Sequence, residues 1–394
     1  MNPSQAMKQR PEDEIYLIHH DAWFHLQKRL GLAPKDGHDG VIRRTLFFCL
    51  LAWLPLVIWA LATGRAFDSA TGEPLLQHYS VHARFLLALP ALIFGERLAR
   101  SSFKRILPRF VQMGSIPEEK VPAFKEVIAS IIRLRNSTMP WFAIACVILS
   151  AAFIPETGIH LDELNWAESN GSLGFGGWWF LFVSRPIYQL FLFAWLWRVV
   201  LLFVLFRRII KLGIDYMPAH PDRLAGIGFI AATPRGFAPL AFAASCVTAS
   251  KWAHDIAWHG AHVKDLKIHG AIFIVVILLL CLSPLTVFLP HLRRAKRRGI
   301  LEYGALVAKH DRLVAKKWLH GEPVEGRSLL EAPELGPSCD IHSLYDSVKN
   351  MRILPVDKTS LMPLVLPLLV PLLAASSIEI PVGELVGKVF KMVL

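Results

Sequence analysis

Apolar residues in this chain are gathered into runs of bilayer length. Residues 45–63 and 271–289 each hold about twenty residues without a charged side chain, enough to cross a hydrocarbon core of about 30 Å at about 1.5 Å per residue. Lipid offers the backbone no hydrogen-bond partner, so each run is expected to be an α-helix. With 54% hydrophobic and only 19% charged residues over 394, the chain is too apolar for a soluble domain of its size. The expected fold is all-α, a polytopic transmembrane helix bundle.

Seven runs qualify as spans: 45–63, 79–98, 139–154, 178–206, 227–248, 270–289 and 361–378. The second is interrupted by Arg84, Glu96 and Arg97, and the fourth is long enough to tilt or to project beyond the bilayer. Seven crossings put the termini on opposite sides, and the cations decide which side is which. Of 43 Lys and Arg, 33 fall in 1–44, 96–138, 207–226 and 290–360, the loops on one side. The basic side is the cytoplasmic one, which gives an N-in, C-out inner-membrane protein. The same asymmetry explains the net charge of +12 without nucleic acid, which is excluded as a partner. No cleavable leader is visible in the polar first forty residues. Four of the five cysteines lie in apolar runs and Cys339 in a cytoplasmic loop, so no disulfide is expected.

The chain then divides into a cytoplasmic amphipathic segment (1–44), a bundle of six spans (45–289) with a cytoplasmic helical insert (99–138), a cytoplasmic helical subdomain (290–360), and a last span with a periplasmic interfacial helix (361–394). Within 14–30, Ile15, Ile18, Ala22, Leu26 and Leu30 share a helical face. In the insert, Pro117 opens a helix striped by Val121, Phe124, Val127, Ile128, Ile131 and Ile132. Arg293, Arg294, Lys296, Arg297 and Arg298 open the subdomain and suit anionic lipid at the cytoplasmic face. A helix to Trp318 and a second one over 340–351 are expected to follow. Val382, Leu385, Val386, Val389, Phe390 and Val393 form one side of the terminal interfacial helix.

Four groups of residues are candidates for function. His220 and Asp222, with Gly226 and Gly228 after them, are either a titratable pair or the capped, closely packed start of the fifth span. Arg84, Arg185, Arg198 and Arg235 lie within spans. A span-centre arginine costs about 2.5 to 3.5 kcal/mol on insertion scales and needs a partner or water. Arg84 and Arg235 can snorkel, whereas Arg185 and Arg198 either have structural partners, such as a carbonyl freed by Pro186, or line an anion path. Pro363, Pro367 and Pro371 fall on one face of the last span and free a stripe of carbonyls, which makes a kinked packing helix, a hinge or a cation path. If 254–269 is helical, His254, His262, Asp265 and His269 share a face as a weak metal site, although Gly260 argues against that helix and no zinc spacing is present.

His220-Pro-Asp-x-x-x-Gly-x-Gly-Phe229, with Trp195-x-Trp197-Arg198 before it and Asp340-Ile-x-Ser-Leu-x-Asp346 and Met351-Arg-x-x-Pro355 after it, resembles a family of uncharacterised bacterial polytopic inner-membrane proteins. The likeness covers roughly the second half of the chain. It implies a membrane location and attention to His220, Asp222, Arg198, Asp340 and Arg352, but no activity or cofactor. Relatives often carry Gly-Gly where this chain has Ala225-Gly226.

No phosphate loop, nucleophile elbow, dinucleotide fingerprint or inverted repeat is found, and no cofactor is expected. The arginines and the proline stripe favour a channel or transporter-like protein for a small ion or solute. The alternatives are a membrane scaffold that binds a partner through its cytoplasmic helices and a membrane-embedded enzyme acting on a lipid. A homo-oligomer is compatible with each.

Overall fold

The computed structural model describes residues 40–67, 74–153, 166–169, 172–321 and 335–381. The amphipathic segment 14–30 and the terminal interfacial helix lie outside the described residues. Apart from a two-residue ladder pairing Glu168 and Ser169 with Leu173 and Ser172, the regular elements are helical.

The chain opens with α1 (Val41–Ala62). Next, α2 (Tyr79–His82) runs through a π-helical turn (Ala83–Ala88) into α3 (Leu89–Ile106) as one rod. A short α4 (Arg109–Gln112) leads to α5 (Val121–Asn136) and α6 (Thr138–Phe153). Then α7 (Phe175–Trp179) passes through a second π-helical turn (Phe180–Ser184) into α8 (Arg185–Lys211). That turn ends at Pro186, which cannot donate to the carbonyl one turn back, so the ladder widens there. A 3-10 helix (Gly228–Phe237) leads into α9 (Ala238–Trp258), followed by α10 (Val263–Thr286), α11 (Leu289–Trp318), α12 (Leu335–Lys349) and α13 (Lys358–Ser376).

Among the described residues five helices are long and apolar enough to cross a membrane: α1, Phe175–Lys211, Gly228–Trp258, α10 and α13. Their burial is inverted relative to a soluble bundle. On α1, Phe48, Ala52, Leu56 and Ala60 point inward at four-residue spacing, while Leu46, Leu50, Leu54 and Ile58 stand exposed. Helix α10 goes further, with Ile268, Ile272, Val275, Val276 and Leu279 all more than half exposed. A continuous apolar belt of this size is unstable in water and suits lipid. The chain is therefore described as a multi-pass membrane protein.

The centre of the bundle is α9, whose inward face is built of small residues: Ala241, Ala243, Ser245, Cys246 and Ala249. Small side chains let backbones approach closely, and α13 lies along this face with Leu364, Leu368, Leu372 and Ala375 buried. On the opposite side α3 comes so close that a Cβ on Gly95 would stand 2.3 Å from Pro239 and 2.9 Å from Trp195, which explains the glycine. Helix α8 packs on α5, α6 and α10. The striped helix foreseen in the insert is α5, with Phe124, Ile128 and Ile131 buried.

Outside the bundle, α11 and α12 pair side by side. Helix α12 starts at Leu335, five residues before the expected start, and buries Ile341 and Val348 while Leu344 of the same apolar set stays exposed.

Candidate functional site

The most polar point of the interior joins the start of α1 to α3 and α8. Glu96, 4% exposed, takes Arg44 Nη2 on Oε2 at 2.8 Å and Arg198 Nη2 on Oε1 at 2.6 Å. Both arginines are buried, and the Arg198 guanidinium lies 5.2 Å from the Trp195 ring, whose indole donates to the Leu92 carbonyl at 3.0 Å. Among the described residues the knot sets two guanidiniums on one carboxylate and adds a cation–π contact from Arg198 to Trp195. A buried arginine without such partners would be expelled or would drag water in. Of the three residues, only Arg198 stood among the candidates. Glu96 counted against its own span, and Arg44 was one of many loop cations.

The other arginines differ from one another. Arg84 is half-buried and lies 5.8 Å from the rings of both Phe180 and Tyr188. Arg185 is half-buried at the π-helical turn beside Pro186. Arg235 is exposed on the 3-10 helix.

The loop carrying His220 and Asp222 is organised by the aspartate. Its Oδ1 accepts the N–H groups of Leu224 at 2.7 Å and Gly226 at 3.2 Å, and its Oδ2 accepts that of Gly228 at 2.7 Å. A Cβ on Gly228 would sit 2.9 Å from Oδ2, so that glycine is needed for the carboxylate to reach the backbone. The fifth span does not begin at Pro221 and Asp222, as the capping alternative had it. Helix starts at Gly228, and Asp222 reaches its first N–H from six residues upstream, across a loop whose Arg223, Ala225 and Gly226 all have positive φ. In neutral His220, Nδ1 accepts the Asp222 N–H at 3.3 Å; a protonated imidazole would instead face Oδ1 at 3.1 Å.

Neighbouring segments are tied to the same loop. Arg352 N–H donates to the Arg223 carbonyl at 2.7 Å, Lys296 Nζ to the Met351 carbonyl at 2.7 Å, and Ser115 Oγ to the Gly226 carbonyl at 3.3 Å. Phe229 meets Phe110 edge to face at 4.8 Å. The Arg352 guanidinium reaches Asp357, which caps α13 in a reciprocal box with Ser360. Burial would raise the Asp357 carboxyl, but bonds from Thr359, Ser360 and Arg352 outweigh it and pull the pKa down to about 2. Asp340 is exposed on α12. Two of the quoted stretches, around 220–229 and 351–355, therefore meet in space.

No family model, curated protein or solved structure matches this chain.

The histidine-rich segment needs correction. Helix α9 ends at Trp258, Gly260 takes φ +65°, and α10 begins only at Val263. The single helix that would have aligned His254, His262, Asp265 and His269 does not exist. His254 turns inward and stacks on His78 with ring centroids 5.2 Å apart, while His262 faces Glu379. Among the described residues no group of three or more His, Cys, Asp or Glu could hold a metal ion. Glu379, which no sequence signal singled out, accepts the Val263 N–H at 2.6 Å and so closes the first turn of α10; this bond draws its carboxyl below the usual range.

Pro363, Pro367 and Pro371 are half-buried, between the inward residues Leu364, Leu368 and Leu372 and the outward Met362, Leu366 and Val370. From α9, Ser245 Oγ donates to the Leu368 carbonyl. The stripe therefore runs along the edge of a helix–helix contact.

Proposed function

We propose that the chain is a seven-span bacterial inner-membrane protein, N-terminus inside, that serves as a scaffold presenting the α11–α12 pair to a cytosolic protein partner. The observation that carries this reading is the Glu96 knot. Arg198, one of the two arginines that argued for an ion path, is bound to a carboxylate inside the bundle, and the proline stripe borders a packed contact.

Contacts between segments support the seven crossings. On the expected topology Arg44 and Glu96 lie at the inner ends of the first and second spans, and Arg198 lies in the inner half of the fourth. His78 with His254 and Val263 with Glu379 pair outer ends. Helices α2 and α3, with too many charges to qualify by hydropathy, have those charges engaged by protein: Arg84 on rings and Glu96 on two arginines. That lowers the cost of immersing the rod in lipid.

For the scaffold role, α11 and α12 keep Leu306, Trp318 and Leu344 exposed, with Lys317 Nζ 5.4 Å from the Trp318 ring. Apolar side chains ringed by charge are the composition of a docking face. A photo-crosslinking residue at Leu344 should give one discrete adduct in cells, and purified protein in vesicles should pass no ion under an imposed gradient. Steady flux together with no adduct would overturn the reading.

Transport of a small anion is favoured by one feature: Arg198 Nη1 is buried and has no hydrogen-bond partner among the described residues. The same flux measurement decides it. The enzyme reading is weakened, because the Asp222 carboxylate is occupied by three backbone N–H groups and is not available as a base.

A further inference from the structure

Where α11 leaves the bundle, Arg293, Lys296, Arg297, Ile300, Leu301 and Ile353 line a groove of about 240 Å³. Its two walls come from segments that adjoin candidate spans. Arg293 lies two turns past the end of α10, and Ile353 lies five residues before the start of α13. Helix α10 ends on the side where α13 begins, so the groove sits at the edge of the bilayer on the basic side.

Chemistry differs between the groove and its rim. The groove wall itself is apolar: Arg293 and Arg297, one helical turn apart and both exposed, line it with their aliphatic stems, so that their charged ends belong to its rim. Of the other cations of the cluster, Lys296 holds the Met351 carbonyl, Arg298 holds Glu302 at 2.6 Å, and Arg294 does not line the groove. One and two turns further, Ile300, Leu301 and Ile353 make an apolar part, with Leu301 68% exposed and the adjacent Leu354 49% exposed. Exposed leucines in this position have lipid within reach. Two guanidiniums a turn apart match a phosphate, and the apolar part matches the first methylenes of an acyl chain.

We propose that this groove binds one anionic phospholipid of the leaflet on the basic side, its phosphate between Arg293 and Arg297 and its chain against Ile300, Leu301 and Ile353. The proposal rests on the membrane reading above and is independent of the protein partner.

The test uses the purified full-length chain in nanodiscs of phosphatidylcholine with and without phosphatidylglycerol. Retained lipid is counted by native mass spectrometry after transfer to mild detergent. Wild type should retain phosphatidylglycerol in preference to phosphatidylcholine, and Arg293→Ala/Arg297→Ala should lose most of that preference, by several-fold. Leu301→Ser, at a largely exposed position, should weaken retention as well. Arg312→Ala, further along α11, should behave as wild type. Equal unfolding temperatures in pure phosphatidylcholine certify that the variants are folded; should the double variant not fold, Leu301→Ser alone decides. Unchanged phosphatidylglycerol retention in the groove variants overturns the proposal, as does an equal loss in Arg312→Ala. Displacement of the lipid by glycerol phosphate at similar concentration would mean a site for free phosphates, and also overturns it. No protein partner is present, so failure here leaves the scaffold reading standing. A chain that stays monodisperse without detergent would instead sink the membrane reading itself.

Discussion

Glu96 and Asp222 are both carboxylates that organise the chain around them, Glu96 across distant helices and Asp222 within its own loop. Glu96 neutralises charge: its two partners are guanidiniums, buried with it where three helices meet. Asp222 satisfies backbone: its partners are three N–H groups of its own loop, and its side chain is 22% exposed. The difference teaches where an acidic residue is replaceable. Asparagine can still accept a hydrogen bond from an amide, but glutamine cannot neutralise a buried arginine.

The sharpest test of that contrast is Glu96→Gln. Removing one partner of a buried ionic group costs about 3 to 5 kcal/mol, and here two arginines lose their anion at once. The variant is expected to unfold at a much lower temperature in detergent, or not to accumulate. Replacing all three residues by apolar ones, Arg44→Met/Glu96→Leu/Arg198→Met, should recover much of the loss, because a packed apolar cluster needs no counter-charge. If Glu96→Gln were as stable as wild type, water would have to reach the knot, and the anion-path reading would gain.

Asp222→Ala comes next. It strands the N–H groups of Leu224, Gly226 and Gly228 in a half-buried loop, at about 2 kcal/mol in all once partial access of water is allowed for. Asp222→Asn should cost about half as much. An asparagine variant as damaged as the alanine one would mean that the charge matters, and would bring Asp222 closer to Glu96 in kind. It would also revive a proton-transfer role with His220.

A third carboxylate lies between these extremes. Asp357 caps α13 and also faces Arg352, so it serves both backbone and charge. Asp357→Ala should cost about 1 kcal/mol, the usual value of an N-cap. Its folded pKa of about 2 lies below the ordinary value of 3.8. Its stabilisation is therefore fully present above about pH 4 and is lost as pH falls toward 2. Acid unfolding curves of wild type and Asp357→Asn should converge in that window. Parallel curves would show that the cap acts through geometry alone.

Much of the scaffold was readable in the order of residues, and the missing parts have a physical reason. Runs of apolar residues identify helices because lipid leaves the backbone no other choice, and the 30-residue α11, with its basic start, follows the expected course. The stripe on α5 was equally plain, since burial on one face leaves a period. The Glu96 knot was not legible, because its residues stand 52 and 102 positions apart and no local pattern marks which cation meets which anion. Arg44 in particular looks like any other basic residue flanking a span. The break between α9 and α10 was signalled by Gly260, but a glycine only permits a turn and does not prescribe one. Glu379 was invisible for the same reason as the knot: it acts on a helix start 116 residues away.

The smallest expected effect concerns the loop that Asp222 holds. Ala225 takes φ +56° next to Gly226 at φ +86°, and a left-handed conformation costs an L-residue with a Cβ about 1 kcal/mol or more. Ala225→Gly removes that strain but makes the unfolded chain more flexible, which costs about 0.4 to 1 kcal/mol. The two nearly offset, and a gain of about 0.5 kcal/mol is expected, visible as a small rise in unfolding temperature. Combined with Asp222→Ala, the substitution sharpens the comparison between the two carboxylates. If Asp222 is what forces the left-handed path, Ala225→Gly should have less effect once the aspartate is gone, whereas it should be indifferent to Glu96→Gln. Equal gains in all three backgrounds would mean that the loop keeps its shape without the carboxylate, and that its packing against Ser115 and Arg352 is what holds it.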